Sequence, residues 1–211
     1  MLRQIAAAVA LAALAVPALA EAPLKRLTLR QDLLGWEAIG RVEMGDKGYC
    51  TGVLIAPDLV LTAAHCLFAG GDSYVRPDVM RFRAGLSDGV ALAESAVERM
   101  VVHPGYDPAS GNTETMIRSD LGLLKLVTPV PVSTAAPFTV ADLAPDARDL
   151  SVVSYGRGRD DALSWDDACN VQGHARGLIA FDCDVTFGSS GAPVFQRMGN
   201  RATIVSLVSM G

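Results

Sequence analysis

Three short stretches carry the residue types that acyl transfer needs. LTAAHC, Leu61 to Cys66, ends an apolar, strand-like run with His65 beside a cysteine. GSSGAP, Gly188 to Pro193, sets Ser190 in a tight turn between glycines. SDLGLLKL, Ser119 to Leu126, places Asp120 ahead of an apolar strand. A serine hydroxyl is a weak nucleophile until a neighbouring base takes its proton. Histidine suits that task because its unperturbed pKa is about 6.5. A buried carboxylate fixes the imidazole tautomer and stabilises the imidazolium that forms. The chain order His, Asp, Ser separates this set from triads that run Ser, Asp, His or Asp, His, Ser.

Each stretch also has a plainer reading. A lone histidine at a strand end is commonly structural, and an aspartate before a strand commonly caps a turn. Gly-x-Ser-Gly turns are common in loops. The joint occurrence of the three local patterns outweighs these readings. Asp107 is the competitor for the carboxylate role. His103, before Pro104, and His174, in an expected hairpin, have no metal-like company. No metal and no cofactor is expected.

The elements that must hold these residues read as strands. Helical periodicity is scarce after the first twenty residues, and short β-branched runs recur between Gly, Pro and Asp clusters. That pattern marks an all-β barrel or sandwich. A first set of strands is expected at Ala38–Met44, Tyr49–Ile55, Leu59–Ala64, Met80–Gly85, Ala96–His103 and Leu121–Leu126. A second set is expected at Asp149–Tyr155, Asn170–His174, Gly177–Asp182, Ala192–Gln196 and Ala202–Val208. Thr128–Asp146, rich in Pro, Ala, Ser and Thr, connects the sets. Arg159–Asp167 carries four aspartates and reads as a solvated surface loop. Leu67 and Phe68 begin one helical turn after His65.

The first twenty residues have one arginine, no acid, an apolar run and an Ala-Leu-Ala ending, the pattern of a cleaved secretory signal. Their unbroken apolar core is about twelve residues, short of the ~20 that span a bilayer. The expected location is secreted or periplasmic. Loss of the leader takes the net charge from −5 to −6. An acidic chain argues against nucleic acid and anionic membranes as partners. Four cysteines in an oxidising compartment are expected to pair. Cys50 with Cys66 and Cys169 with Cys183 each flank one expected strand pair.

The residues around all three stretches resemble the chymotrypsin-like (trypsin-like) serine proteases, from roughly Trp36 to Gly211. Asp120 gains weight from VVHPGY, Val101 to Tyr106, which is similar to the segment ahead of that family's catalytic aspartate. The resemblance implies two antiparallel six-stranded β-barrels and a serine endopeptidase acting on proteins or peptides as a monomer. It implies catalytic His65, Asp120 and Ser190, and an oxyanion hole made by the amides of Gly188 and Ser190. Substrate would meet Asp184, Ser209 and Gly211. The implied layout is a signal peptide at 1–20, an N-terminal segment at 21–35 and a first barrel at 36–127. A connection at 128–146 and a second barrel at 147–211 follow. The family runs through one more strand and a C-terminal helix beyond the stretch matching Val205–Gly211. The second barrel is therefore expected to lack both here, as a truncated sequence would.

Other departures bear on regulation and specificity. Many animal members carry an aspartate where this chain has Ser189, and it pairs with an amine freed by zymogen cleavage. Ser189 cannot form that ion pair, and WEAIGR, Trp36–Arg41, is not an IVGG-like start. Residues Glu21–Leu34 are therefore expected to tolerate additions. FDCDVTFGSSGAPVF, Phe181–Phe195, is closer to bacterial members, including glutamyl endopeptidases. The histidine of the glutamate-preferring pocket is replaced here by Ser209, which disfavours that preference. Two other functions share these residues: a protease-like binding protein that has lost catalysis, and an esterase-type hydrolase.

Overall fold

Strict alternation builds the first half. In Met80–Ala84, Met80, Phe82 and Ala84 are buried while the two arginines between them face outward. Side chains of period two on a pleated strand give one dry face and one wet face. The computed structural model describes residues 24–198 and 201–210. The expected leader and Gly211 lie outside the described residues.

In chain order the elements are β1 (Lys25–Arg26), β2 (Ile39–Met44), β3 (Tyr49–Ala56), β4 (Leu59–Thr62), β5 (Phe68–Gly70), β6 (Ser73–Tyr74) and β7 (Met80–Ala84). They continue with β8 (Ala93–Val102), α1 (Glu114–Arg118), β9 (Gly122–Leu126), β10 (Asp149–Ser154), β11 (Ser164–Ala175), β12 (Leu178–Phe181), β13 (Pro193–Met198) and β14 (Arg201–Leu207). The antiparallel strands β2-β3-β4-β9-β8-β7 close a barrel. A second, six-stranded sheet runs β1-β11-β10-β13-β14, with β12 also paired to β11. It curls without closing among the described residues. The pattern is the chymotrypsin-like double barrel, with the second member open.

Three apolar clusters hold this together. Val42, Leu54, Val60, Met80, Phe82 and Leu124 fill the closed barrel. Leu150, Val152, Val194 and Val208 line the second sheet. Between the two lie Leu27, Leu33, Trp36, Ile39, Val53, Tyr155 and Phe195. Trp36 meets Trp165 and Phe195 with ring centroids 5.2 Å away in each case. Each fully buried Leu or Phe contributes about 1.5–3 kcal/mol, so this middle cluster fixes how the two halves sit.

The structure revises four expectations. Residues 24–35, for which no strand was expected, are built into the fold. β1 pairs with β11, and Leu27 and Leu33 are buried. A two-residue strand and a short 3-10 turn are too brief to leave a periodic signal. The acidic loop ends early, because Ser164–Asp167 already belong to β11. Aspartates are depleted in strands, and Asp166 and Asp167 hid this one. Asp161 and Asp160 meet Arg26 at 2.5 Å and Arg41 at 3.4 Å. The turn near His65 is 3-10 and spans Ala64–Leu67, so it contains the histidine. The pair β5–β6 and α1 were not expected at all.

The connection after β9 has little secondary structure but is tied at both ends. Val130 donates its N–H to Pro57 O at 2.8 Å, and Phe138 donates to Leu54 O at 2.9 Å. Ala141 donates to Ile204 O at 2.9 Å. Cys50 is bonded to Cys66 and Cys169 to Cys183, as the strand placement suggested.

Candidate active site

His65 sits where β4 ends. Ala64 and Leu67 anchor the 3-10 turn in the core, and Cys66 ties it covalently to β3. The imidazole is left on the rim. Asp120 lies between α1 and β9, and its N–H donates to Ile117 O at 3.2 Å. Its carboxylate is almost fully buried, with 1% of the side chain exposed. The two residues, 55 apart in sequence, meet twice. His65 N–H donates to Asp120 Oδ1 at 2.8 Å, and His65 Nδ1 lies 2.7 Å from Asp120 Oδ2. An ionised carboxylate only accepts, so Nδ1 carries the hydrogen and Nε2 is left as the acceptor.

A third donor completes the carboxylate shell. The Ser209 hydroxyl donates to Asp120 Oδ2 at 2.5 Å. Burial pushes the Asp120 carboxyl up. The His65 ring, the Ser209 hydroxyl and the His65 amide overcome this and hold it below the ordinary carboxylate range. Ser209, expected to meet substrate, therefore has its hydroxyl turned to Asp120. Asp107, the competitor, caps a turn by accepting Ala109 N–H at 2.9 Å. His103 is likewise local, with Nδ1 accepting Gly105 N–H at 3.1 Å.

Ser190 lies in the turn that leads into β13. His65, Asp120, Ser190 and Ser209 line one cavity of about 530 Å³. Tyr106, Met116, Val185, Phe187, Val208 and Met210 supply most of its apolar wall. Burial, then the Asp120 and Asp107 charges, push the Tyr106 phenol up to about 12, so it stays neutral. A hydrogen bond between His65 and Ser190 is not closed in this structure. Such bonds tighten in many enzymes only when substrate is bound.

The glycines flanking Ser190 are required by space and by backbone. Gly188 has φ +91°, and a Cβ there would lie 2.3 Å from Tyr49 Cε2 and 2.6 Å from Tyr155 O. Gly191 has φ +77°, and a Cβ would lie 2.3 Å from Thr62 Oγ1 and 2.4 Å from Thr51 O. The peptide planes around Ser190 are held through their carbonyls. Arg157 N–H donates to Phe187 O at 2.7 Å, and Ala192 N–H donates to Ser189 O at 2.9 Å. In a trans peptide the N–H points away from the C=O. The Gly188 and Ser190 amides are thus turned away from these contacts, and neither has an acceptor among the described residues.

Ser189 is fully buried, with its hydroxyl 2.9 Å from that of Ser154 and accepting Thr186 N–H at 3.3 Å. This position offers no carboxylate to an ammonium. Asp184 does not line the cavity of His65 and Ser190. Its side chain is 60% exposed, and Arg159 reaches both carboxylate oxygens at 3.3 Å and its carbonyl at 2.8 Å. The expectation that Asp184 faces substrate assumed a side chain turned inward, and Arg159 holds it outward. Gly211 is outside the described residues. Thr51 and Ser154, both buried under the Ser190 turn, escaped the sequence reading because neither belongs to a recognisable motif.

The comparisons with known proteins bear on the family and the fold. Mouse serine protease 56 is 37% identical over 104 residues, which is 49% of this chain and 16% of that protein. Brachyurin of Leptuca pugilator is 29% identical over 157 residues, 72% of this chain and 64% of that protein. The chain thus spans well under two thirds of the length of the first curated relatives it matches, 16% for the mouse protein. Among solved structures, a Glu endopeptidase superposes with a TM-score of 0.70 at 17% identity, over 89% of this chain and 85% of that one. That likeness shows the fold. The family model described as trypsin-like peptidase domain matches residues 50–202, which include His65, Asp120 and Ser190, and the chain belongs to that family of serine proteases.

Proposed function

We propose that this chain is the catalytic unit of an exported serine endopeptidase that cleaves proteins or peptides through Ser190, His65 and Asp120. One observation carries the reading. An Asp120–His65 pair with a free Nε2 and the Ser190 hydroxyl line a single cavity, beside two uncommitted amides. Export rests on the leader pattern and on two disulfides, which persist in oxidising compartments. The acidic net charge of −5 supports a chain that does not seek nucleic acid or anionic membrane. Nothing in the reading requires a second copy, and the unit acts as a monomer.

In the first half-reaction Ser190 Oγ attacks the scissile carbonyl carbon while His65 Nε2 takes its proton. The carbonyl oxygen becomes an oxyanion and accepts from the Gly188 and Ser190 amides. Collapse breaks the C–N bond, and His65 returns the proton to the leaving amine. The acyl group remains on Ser190 as an ester. Water then attacks that ester with His65 again as base, releasing a carboxylic acid and free serine. Asp120 holds the imidazole tautomer and stabilises the imidazolium throughout. The Ser189–Ser154 pair leaves no acid for a freed amine, so the site needs no cleavage near Trp36.

A fluorophosphonate probe and an unstructured protein substrate test this. The wild-type protein should label once and hydrolyse the substrate, and Ser190→Ala should do neither. Absence of labelling in the wild type would favour the binding-protein reading. Labelling with hydrolysis of esters but not of peptides would favour the esterase.

A further inference from the structure

We propose that Thr51 is a positioning residue for the oxyanion hole, its hydroxyl pinning the Gly188 peptide of the second sheet to the wall of the first barrel. The inference deepens the triad reading above and rests on it. Thr51 lies on β3, next to the disulfide cysteine Cys50, and is fully buried. Its backbone N–H donates to Ser190 O at 2.9 Å. Its hydroxyl lies 2.8 Å from Gly188 O, a residue 137 positions away. Tyr155 N–H donates to the same hydroxyl at 3.0 Å. Its carbonyl accepts the Thr62 hydroxyl at 2.8 Å.

The directions of these bonds follow from the groups. Tyr155 supplies a hydrogen, so the single hydrogen of the Thr51 hydroxyl is free for the Gly188 carbonyl. Both peptide planes at Gly188 are then held. The preceding one is fixed by Arg157 N–H on Phe187 O, and the following one by Thr51 on Gly188 O. Gly188 needs both restraints because a glycine at φ +91° has the broadest freedom to rotate. Rotation about either bond swings the amide that would meet the oxyanion. Thr51 also grips the Ser190 carbonyl, so one residue of the closed barrel holds the peptide before Ser189 and the peptide after Ser190.

Valine keeps the shape of threonine and deletes the hydroxyl, leaving the Gly188 carbonyl and the buried Tyr155 N–H without that partner. The experiment compares Thr51→Val, Thr51→Ser and wild type in the full chain. Turnover is expressed per active site counted with the fluorophosphonate. Full removal of an oxyanion donor costs about 10²–10³ in rate. Loosening one should cost Thr51→Val roughly tenfold in kcat, with KM within about twofold. Affinity for a peptide boronate, which forms a tetrahedral adduct, should fall in parallel, and Thr51→Ser should recover most of both. The proposal is overturned if kcat per counted site stays at the wild-type value. It is also overturned if serine loses as much as valine, or if boronate affinity is unmoved while kcat falls. The triad reading fails separately, through persistent turnover by Ser190→Ala.

Discussion

The two halves of this molecule solve the same packing problem to different degrees. The first barrel closes on itself, every strand paired on both sides. Among the described residues the second sheet runs from β14 on one side to β12 and β1 on the other and does not close. The proposed base and its carboxylate both sit on the closed half and already touch at 2.7 Å. The proposed nucleophile sits on the open half, and much of its order is supplied from the closed one. Thr51 N–H holds Ser190 O, and Gly191 is packed within reach of Thr62 and Ala63. A sheet need not be closed to present a rigid loop if its neighbour provides the backbone bonds. Removing parts of each half tests that asymmetry.

The largest effect should come from the reacting groups. Ser190→Ala and His65→Ala should each lower turnover by a factor on the order of 10⁶, and the double variant should be little worse. Steady-state kinetics would show it, and more than a tenth of wild-type activity in His65→Ala would sink the assignment. Asp120→Asn should follow, at roughly 10⁴ in kcat, because an amide can stabilise the wrong tautomer. This variant also has a stability signature. Asp120 is held below its unfolded value of about 3.9. Its contribution is therefore complete above about pH 4 and is lost as the pH falls through the lower, folded value. Urea midpoints measured between about pH 2.5 and 6 should fall less steeply with acid in Asp120→Asn than in wild type.

Next come the disulfides, with short loops in both halves. Opening the Cys50–Cys66 bridge should cost about 3 kcal/mol in the chain-entropy model, and the Cys169–Cys183 bridge about as much. Activity should separate them, since only the first bridge anchors the His65 turn. Equal losses of kcat in the two double-alanine variants would argue against that anchoring role. Non-reducing peptide mapping should recover the same two pairs. Gly191→Ala should cost about 1–3 kcal/mol for its positive φ alone, with the clash against Thr51 O and Thr62 Oγ1 added to it, and should be measurably worse than Gly173→Ala. Gly173 has open space around its missing Cβ and no left-handed φ. Thermal melts that rank the two the other way would mean that the Ser190 turn is not clamped against the first barrel.

The smallest effect should be none. A short tag ahead of Glu21 should leave activity intact without any processing step, because buried Ser189 faces Ser154 rather than an ammonium. Activity that emerges only after cleavage near Trp36 would require another acid to take the new amine. Deletions into the segment are a different matter. Leu27 and Leu33 are part of the cluster between the halves, so losing them should unfold the protein rather than activate it.

Local chemistry was legible because each motif is short and rule-bound. His65 beside Cys66, Ser190 between glycines at positive φ, and the alternation of Met80–Ala84 are all demands made by neighbours in the chain. Those demands determined the class of fold, the disulfide pairing and the candidate triad. What the chain order could not determine was which side chains meet across loops and across the two halves. Asp184, expected to face substrate, is held by Arg159 outside the cavity, and Ser209 lines the cavity while its hydroxyl meets Asp120. Leu27, Leu33 and Thr51 carry no periodic or motif signal, yet they bind the halves together. Hydrogen bonds between residues 25, 89 or 137 positions apart exist only once the chain has folded, and there the tertiary structure decided.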